Sequence, residues 1–319
     1  AVARALDKAD GFGVAEVEQA VTLRKTGFKQ TIVLMQGFSS QEELRACCEY
    51  SLVPVIHDEN QISLLDQNHD QRRLDYWIKI NSGMNRLGFD PSDFERIYAL
   101  LQKKSNLHSI PVILTHLANA DSEDQASTFI QIKRFNQLTD KHSVPKSVCN
   151  SAAVIAHPQV HFDWVRPGIA LYGVSPFTNK QGFNFNLRPA MTLQAKLIAI
   201  RQQQKGDAIG YGGIFVCEKD MKVGVVNAGY GDGYPRGVKS GAPLLIGGVR
   251  CPLIGRVSMD MMTVDLTRVS DVKVGDPVTL WGEGLPVEQV AASADTIAYE
   301  LLTQVTSRVK FKVVSGDHN

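Results

Sequence analysis

The sequence has no apolar run long enough to cross a bilayer and no excess of charge of either sign. A membrane-spanning helix needs about 20 consecutive apolar residues, and the 319 residues contain no such stretch. Lysine and arginine number 34 against 33 aspartate and glutamate, which gives a formal net charge of +1. Such a chain has no basic field to attract nucleic acid or an anionic membrane. We therefore expect neither as a partner, and expect a neutral small molecule instead.

Cysteine is sparse, and the start of the chain lacks both an initiator methionine and the layout of a signal peptide. The five cysteines, an odd number at irregular spacing, argue against a disulfide framework and favour a reducing compartment, so we expect a cytoplasmic protein. We expect no metal site. From the missing methionine we also expect residues before Ala1.

Helical patterns alternate with short apolar runs up to about residue 173, which is typical of parallel β/α architecture. The strand candidates are residues 11–14, 31–35, 53–56, 76–80, 112–117, 146–150 and 165–172. A closed (β/α)8 barrel of the TIM type needs eight strands. Because the chain opens in a helix pattern over residues 1–8, we expect the first barrel strand to be absent from it. An open doubly wound sheet is the alternative.

Two capping-box patterns predict where helices begin. Ser40 with Glu43 is one, and Ser92 with Glu95 is the other.

After about residue 183 the sequence changes to β segments punctuated by glycine. These segments are residues 193–200, 222–226, 243–246, 262–264 and 277–281. They predict a mainly antiparallel β domain. With a linker over 175–186, we expect a barrel domain over residues 1–182 and a C-terminal β domain over 183–319.

Polar residues follow several strand candidates of the first domain. In a parallel barrel the catalytic groups lie at the C-terminal ends of the strands, where this sequence has Lys79, Arg86, His116, Ser151 and Arg166. Each one alone is more often a structural residue than a catalyst. Their convergence on one face of a barrel favours a site.

Seven short segments carry a resemblance to a known family. They are KINSGMNRLG at 79–88, LTH at 114–116, NSAA at 150–153, WVRPGIALYG at 164–173, GYG at 210–212, GYGDGY at 229–234 and GRVSMD at 255–260. In this order they resemble the motifs of the alanine racemase family, over essentially the whole chain. The resemblance implies pyridoxal 5'-phosphate as cofactor and interconversion of L-alanine and D-alanine, which supplies D-alanine for peptidoglycan.

The resemblance also implies roles for residues of the barrel. Ser151, with the backbone amides of Gly168 and Ile169, would bind the cofactor phosphate, a role that suits a hydroxyl and closely approaching amides. His116 would lie against the cofactor ring and Arg166 against its pyridine nitrogen. An arginine keeps its proton, so the ring stays a weaker electron sink, which suits a racemase. The structural alternatives are a barrel-lining histidine and an arginine paired with a carboxylate.

Arg86 resembles the arginine near the cofactor's phenolic oxygen and the substrate carboxylate, where a planar fork suits oxygen acceptors. Lys79 matches a lysine that is carbamylated in many family members. Carbamylation turns this cation into an anion that orients Arg86, whereas a plain lysine would repel it.

In the second domain Tyr211 resembles the base that acts on the L-alanine face, one of the two proton-transfer groups that racemisation needs. A phenol has an ordinary pKa of about 10, so neighbouring cations must help it. The backbone amide of Met259 would hold the substrate carboxylate. The residues matching the entrance are Tyr230, Arg236, Arg256 and Asp260. In the family the second domain of one subunit covers the other's barrel. The resemblance therefore implies a homodimer with a shared site, in which Tyr211 and Met259 act on the partner's cofactor.

The sequence departs from the family at the cofactor lysine. The family carries it on the first barrel strand, in a motif like Val-Lys-Ala-Asp-Ala-Tyr-Gly-His-Gly, and no lysine here matches it. Ser307 also stands where some members have a tyrosine. We expect the lysine, which is also the base for the D-alanine face, to precede residue 1. The alternatives are a broader amino-acid racemase, acting for example on serine, and, for a complete chain, a non-catalytic protein that binds pyridoxal phosphate.

Overall fold

The computed structural model describes residues 1–68, 70 and 72–314, which form two compact units divided between Pro167 and Gly168. No helix among these residues has the length and apolar composition that crossing a bilayer requires. All five cysteines are free and buried.

The first unit alternates helices and strands. In chain order its elements are α1 (Val2–Ala5), β1 (Gly11–Val14), α2 (Val17–Lys25), β2 (Thr31–Leu34), α3 (Gln41–Tyr50), β3 (Val53–Ile56), α4 (Glu59–Asp66), β4 (Trp77–Lys79), α5 (Phe94–Gln102), β5 (Val112–Leu114), α6 (Ala126–Thr139), β6 (Lys146–Ser147) and α7 (Ser151–Ala156). The described strands pair in parallel in the order β1-β2-β3-β4-β5-β6. A doubly wound sheet reverses its order at a switch point, so this unbroken order favours the barrel type of winding.

The helix starts follow the predicted caps only in part. Ser40 caps α3, because its side chain accepts a hydrogen bond from the Glu43 amide at 3.2 Å. The predicted start at Ser92 is wrong: α5 has Asp93 as its N-cap, with no capping bond from that side chain. Ser92 lies in a turn closed by the bond from the Asp93 amide to the Asp90 carbonyl at 3.0 Å.

The predicted strand over residues 165–172 is wrong. A single parallel bridge joins Trp164 to Ser147, and Ile169–Tyr172 is a 3₁₀ helix. Proline has no N–H to donate to a sheet. Pro167 therefore ends the extended segment, and Gly168 at φ −118° and ψ −83° leads into the 3₁₀ turn.

The second unit is built around a closed antiparallel barrel. Its elements are β7 (Leu193–Gln203), β8 (Ala208–Ile209), β9 (Phe215–Val216), β10 (Met221–Val226), β11 (Pro243–Ile246), β12 (Val249–Ile254), β13 (Met262–Asp265), β14 (Pro277–Trp281), α8 (Val287–Ser293) and α9 (Ala298–Gln304). The barrel order is β10-β13-β12-β11-β14-β7. The sequence did not predict β12. It pairs with β11 across Gly247 and Gly248, whose positive φ values of +56° and +79° suit a tight hairpin turn.

The division between the units lies earlier in the chain than the predicted boundary at residue 182. Ile169 and Val174 are buried in the core of the second unit. The Glu288 carboxylate accepts hydrogen bonds from the Ser175 and Gly182 amides, both at 2.9 Å. These contacts attach the segment that follows Pro167 to the second unit.

Truncation of the second core should destabilise the protein strongly. Leu253 is fully buried inside the β barrel, so we expect Leu253→Ala to lower the free energy of unfolding by about 2–5 kcal/mol. Urea unfolding followed by the fluorescence of Trp281, buried in the same core, measures the loss. The matched control is Val274→Ala at an exposed valine, with an expected change within about 0.5 kcal/mol. Equal losses in the two variants would contradict the assignment of this core.

Candidate active site

The strand ends of the first unit gather four basic side chains. Lys79 is the last residue of β4, His116 follows β5 by two residues, and Arg166 follows the Trp164 bridge. Lys79, Arg86 and Arg166 all lie near enough to His116 to lower its pKa. The structure therefore brings together four of the residues that the sequence predicted.

Arg166 is held by neutral oxygens. Its guanidinium donates to the Ser147 hydroxyl at 2.5 Å, to the Thr115 carbonyl at 2.7 Å and to the Val148 carbonyl at 3.3 Å. Among the described residues it forms no ion pair with a carboxylate. Burial lowers the pKa of the guanidinium to about 10, so it keeps its charge at neutral pH.

Lys79 is a buried amine next to two other cations. Only 6% of the residue is exposed, and burial, Arg86 and Arg166 together lower the pKa of its ammonium to about 8. No carboxylate lies within ion-pair distance of Lys79 among the residues that the structure describes. The neutral amine is therefore a minor form at pH 7, roughly a tenth of the population, but far more abundant than in a lysine with the ordinary pKa of about 10.4.

His116 is held through its backbone by α6. The Gln131 side chain donates to the His116 carbonyl at 3.2 Å and accepts from the Ala118 amide at 2.9 Å. Burial, followed by the charges of Arg166, Lys79 and Arg86, lowers the pKa of the imidazole to about 4. The ring is neutral at physiological pH.

Arg86 lies in a loop that returns to the sheet. The Asn81 side chain accepts from the amides of Gly83 and Asn85 at 3.2 and 2.9 Å. Gly88 has φ +117°, and a Cβ there would lie 2.8 Å from backbone atoms of residues 80 and 81. The tight loop leaves the Arg86 side chain exposed next to buried Lys79.

The residues predicted to bind a phosphate lie at helix starts. Ser151 is the buried first residue of α7, whose N-cap Asn150 accepts from the Ala153 amide at 3.0 Å. Gly168 is the N-cap of the 3₁₀ helix that Ile169 begins, and a Cβ on Gly168 would meet no atom within 4 Å. Backbone amides at such starts suit an anion.

In the second unit Tyr211 lies on an open turn. The turn Tyr211–Gly213 follows Gly210 at φ +71°, and the tyrosine is 72% exposed. A depression of about 400 Å³ is lined by Tyr211 and Arg256 together with Gly210, Val225, Ser258, Met261, Met262 and Thr263. The phenol therefore has room beside it for a small molecule.

Most of the other predicted residues of this unit lie in one connected region. Met259 is 51% exposed; its carbonyl accepts from the Gly231 amide at 2.9 Å, and its own N–H has no acceptor among the described residues. The Tyr230 amide donates to the Ser258 carbonyl at 3.1 Å. Arg236 is exposed and forms no hydrogen bond or ion pair with this region among those residues.

Asp260 has a partner that the sequence did not predict. Arg308 donates to its carboxylate at 2.6 Å, and the Arg308 Nε lies 3.5 Å from an Asp232 oxygen. In the first unit Gln131 and Ser147 were also missed. Ser147 lies inside a strand candidate, so its position alone was a signal, whereas nothing in the sequence pointed to Gln131 or Arg308.

Comparison with known proteins decides the family. A family model described as the N-terminal domain of alanine racemase matches residues 1–176, and one described as its C-terminal domain matches residues 190–313. The chain belongs to the alanine racemase family. It is 47% identical to an alanine racemase of Coxiella burnetii, over 97% of this chain and 86% of that protein. It is 48% identical to one of Nitrosomonas eutropha, over 96% and 85%.

A solved structure supports the same family and fold. The biosynthetic alanine racemase from Pseudomonas aeruginosa superimposes with a TM-score of 0.93 at 40% identity, covering 97% of this chain and 86% of that one. This confirms the predicted fold class, a TIM-type barrel followed by an antiparallel β domain. It also makes the chain an amino-acid racemase, which is an isomerase.

The low pKa of His116 predicts a loss of stability in acid. Its folded value of about 4 lies below the ordinary 6.5, so the unfolded chain binds more protons between these pH values. The contribution of neutral His116 is present above pH 6.5 and is lost as pH falls towards 4. The quantity to compare is the free energy of unfolding of His116→Gln minus that of wild type. We expect this difference to be roughly 1–3 kcal/mol larger at pH 4.5 than at pH 7.5. Urea unfolding at both values measures this, and an equal difference at the two would contradict it.

Proposed function

We propose that the chain interconverts L-alanine and D-alanine with pyridoxal 5'-phosphate as cofactor, by proton transfer on two opposite faces of the α-carbon. The relatives that the chain matches are named alanine racemases. The observation that carries the proposal is the group of Lys79, Arg86, His116 and Arg166, a cluster of basic residues at the strand ends without an ion-paired carboxylate among the described residues. We call it the basic cluster.

The basic cluster and its neighbours fit the cofactor. Pyridoxal phosphate offers acceptors, namely a phosphate, a phenolic oxygen and a pyridine nitrogen, and the residues here are donors. Ser151 and the amides of Gly168 and Ile169 would hold the phosphate, with open space at Gly168. Neutral His116 would lie against the ring.

Arg166 would donate to the pyridine nitrogen without protonating it. When bound, the cofactor supplies a conjugated ring that acidifies the α-hydrogen of the amino acid. Because the guanidinium keeps its proton, the nitrogen stays unprotonated and electron withdrawal stays moderate. Its bonds to Ser147 and Thr115 fix the direction in which it donates. Fast return of the proton is then favoured over side reactions.

Two donors would hold the substrate carboxylate. Arg86 of one subunit presents a planar fork suited to two oxygens, and the Met259 N–H of the other subunit, which has no acceptor among the described residues, is free to add a third bond. A carboxylate held at both sides keeps the α-carbon from turning, so the two faces stay distinct during proton transfer.

Tyr211 would move the proton on the L-alanine face. Its exposure beside the depression supports access to a substrate. The resemblance assigns the other face to the family's cofactor lysine, which no residue of this sequence matches. Tyr230, Arg236, Arg256 and Asp260 would form the entrance.

We further propose a cytoplasmic homodimer that supplies D-alanine for peptidoglycan. Five free cysteines are typical of a reducing compartment. Tyr211, Ile214, Val216, Met259 and Met261 are apolar or aromatic side chains between 45% and 72% exposed in the second unit, which supports burial of this surface by a second copy.

Replacing Tyr211 should remove one direction of proton transfer. We expect Tyr211→Phe to lower kcat by roughly 10²–10⁴-fold in the holoenzyme, because general acid–base catalysis contributes about that much. Exchange of the α-hydrogen of L-alanine with deuterated water should be lost, while that of D-alanine should persist. NMR of both enantiomers in deuterated water measures the two rates.

The matched control is Tyr50→Phe, on α3, which should retain wild-type rates. Equal loss of exchange for both enantiomers would contradict a face-specific role for Tyr211. The same assay with L-serine tests whether the enzyme also accepts other amino acids. A wild-type protein that forms no borohydride-reducible adduct with pyridoxal phosphate, or forms it on Lys79, would contradict the cofactor assignment.

Lys79 should be a carbamate. The neutral amine attacks CO₂, an N–C bond forms and one proton is released, which replaces a cation beside Arg86 with an anion. Burial of the amine with two cations and its lowered pKa favour this product. With ¹³C-bicarbonate we expect one carbamate carbon resonance, absent in Lys79→Gln, and a fall of kcat in CO₂-free buffer. A resonance that persists in Lys79→Gln, or no resonance at all, would contradict it.

A further inference from the structure

The segment that follows α9 packs on the turn Tyr230–Asp232. Arg308 donates from Nη2 to Asp260 at 2.6 Å, and its Nε lies 3.5 Å from an Asp232 oxygen. The Thr306 hydroxyl donates to the Gly231 carbonyl at 2.8 Å. The turn is thus held by two side chains from a distant part of the second unit.

The Tyr230–Asp232 turn also fixes the orientation of the Met259 peptide. The Tyr230 amide donates to the Ser258 carbonyl at 3.1 Å. That carbonyl belongs to the same peptide plane as the Met259 N–H, and in a trans peptide the two groups point in opposite directions. Fixing the Ser258 carbonyl against the turn therefore aims the Met259 N–H away from it. The bond from the Gly231 amide to the Met259 carbonyl fixes the next peptide as well.

Gly231 is where these contacts meet. A Cβ on this residue would lie 2.1 Å from Arg308 Nη1 and 3.0 Å from the Met259 carbonyl oxygen. The guanidinium therefore rests directly on the turn, with no space between them.

We infer that Arg308 is a positioning residue for the substrate carboxylate: through Asp260 and Asp232 it seats the Tyr230–Asp232 turn and thereby sets the direction of the Met259 N–H. The inference rests on the proposed function for the identity of the carboxylate. Arg308 itself touches no substrate in this scheme.

The test compares Arg308→Ala with Arg96→Ala in the holoenzyme. Arg96 is the matched control because it is also a half-exposed arginine near two carboxylates, Glu59 and Asp93, in the other unit. In Arg308→Ala we expect KM for both alanine enantiomers to rise roughly tenfold with kcat within about twofold, since one carboxylate hydrogen bond is misdirected. Cofactor affinity and the pH profile should be unchanged, and Arg96→Ala should match wild type.

Two further variants distinguish the loss of the positioning role from a general folding defect. Arg308→Lys keeps the charge but loses the planar fork, so its KM should lie between those of wild type and Arg308→Ala. Gly231→Ala places a Cβ against both the guanidinium and the Met259 carbonyl without removing a hydrogen-bonding group, so it tests the seating of the turn as a whole and should also raise KM.

Amide hydrogen exchange gives a readout without turnover. Propionate, a carboxylate that cannot racemise, should slow exchange of the Met259 N–H in wild type and in Arg96→Ala but not in Arg308→Ala. An unchanged KM in Arg308→Ala, or a fall in kcat alone, would overturn the positioning role, as would equal propionate protection in all variants or none in wild type. A wild-type protein that protects Met259 but does not racemise alanine would overturn the proposed function and leave this inference standing.

Discussion

The hydrogen bonds between the Arg166 guanidinium and strand-end oxygens are the interaction on which the chemistry of the first unit depends. A buried cation is costly unless its N–H groups are satisfied. Here neutral oxygens of Ser147, Thr115 and Val148 accept them. A carboxylate would have satisfied the same donors but cancelled the charge. Burial, and after it the charges of neighbouring cations that include Arg166, lower the pKa values of Lys79 and His116.

The second unit orients its functional groups through turns. Its hydrogen-bond donors lie on turns and not at the ends of strands. The conformation of these turns depends on glycine residues and on ion pairs between residues distant in the chain. Gly210 and Gly212 have positive φ values of +71° and +74°, which expose Tyr211. Met259 gains its orientation from bonds made by its neighbours. In both units the direction in which a functional N–H group points is fixed by the hydrogen bonds around it.

The sequence predicted the regular parts of the fold and missed what depends on distant contacts. Six strands of the first unit follow apolar runs, and each was expected within a few residues of where it lies. The run at 165–172 looks equally apolar, but Pro167 cannot join a ladder. The motifs identified Lys79, Arg86, His116 and Arg166, since strand ends are visible as the ends of apolar runs. Arg308 lies 48 residues from Asp260 along the chain, and no periodic pattern records such a pair.

The division of the chain between Pro167 and Gly168 has a consequence for protein engineering. It cuts the WVRPGIALYG segment in two, so the arginine of the basic cluster and the glycine expected at the phosphate belong to different compact units although only one residue separates them. A chimera that joins this chain to the second unit of a relative at the compact boundary would mix one parent's Arg166 with the other's Gly168. A crossover placed after Gly173 would keep the segment from one parent, at the cost of separating Ile169 from the core in which it is buried.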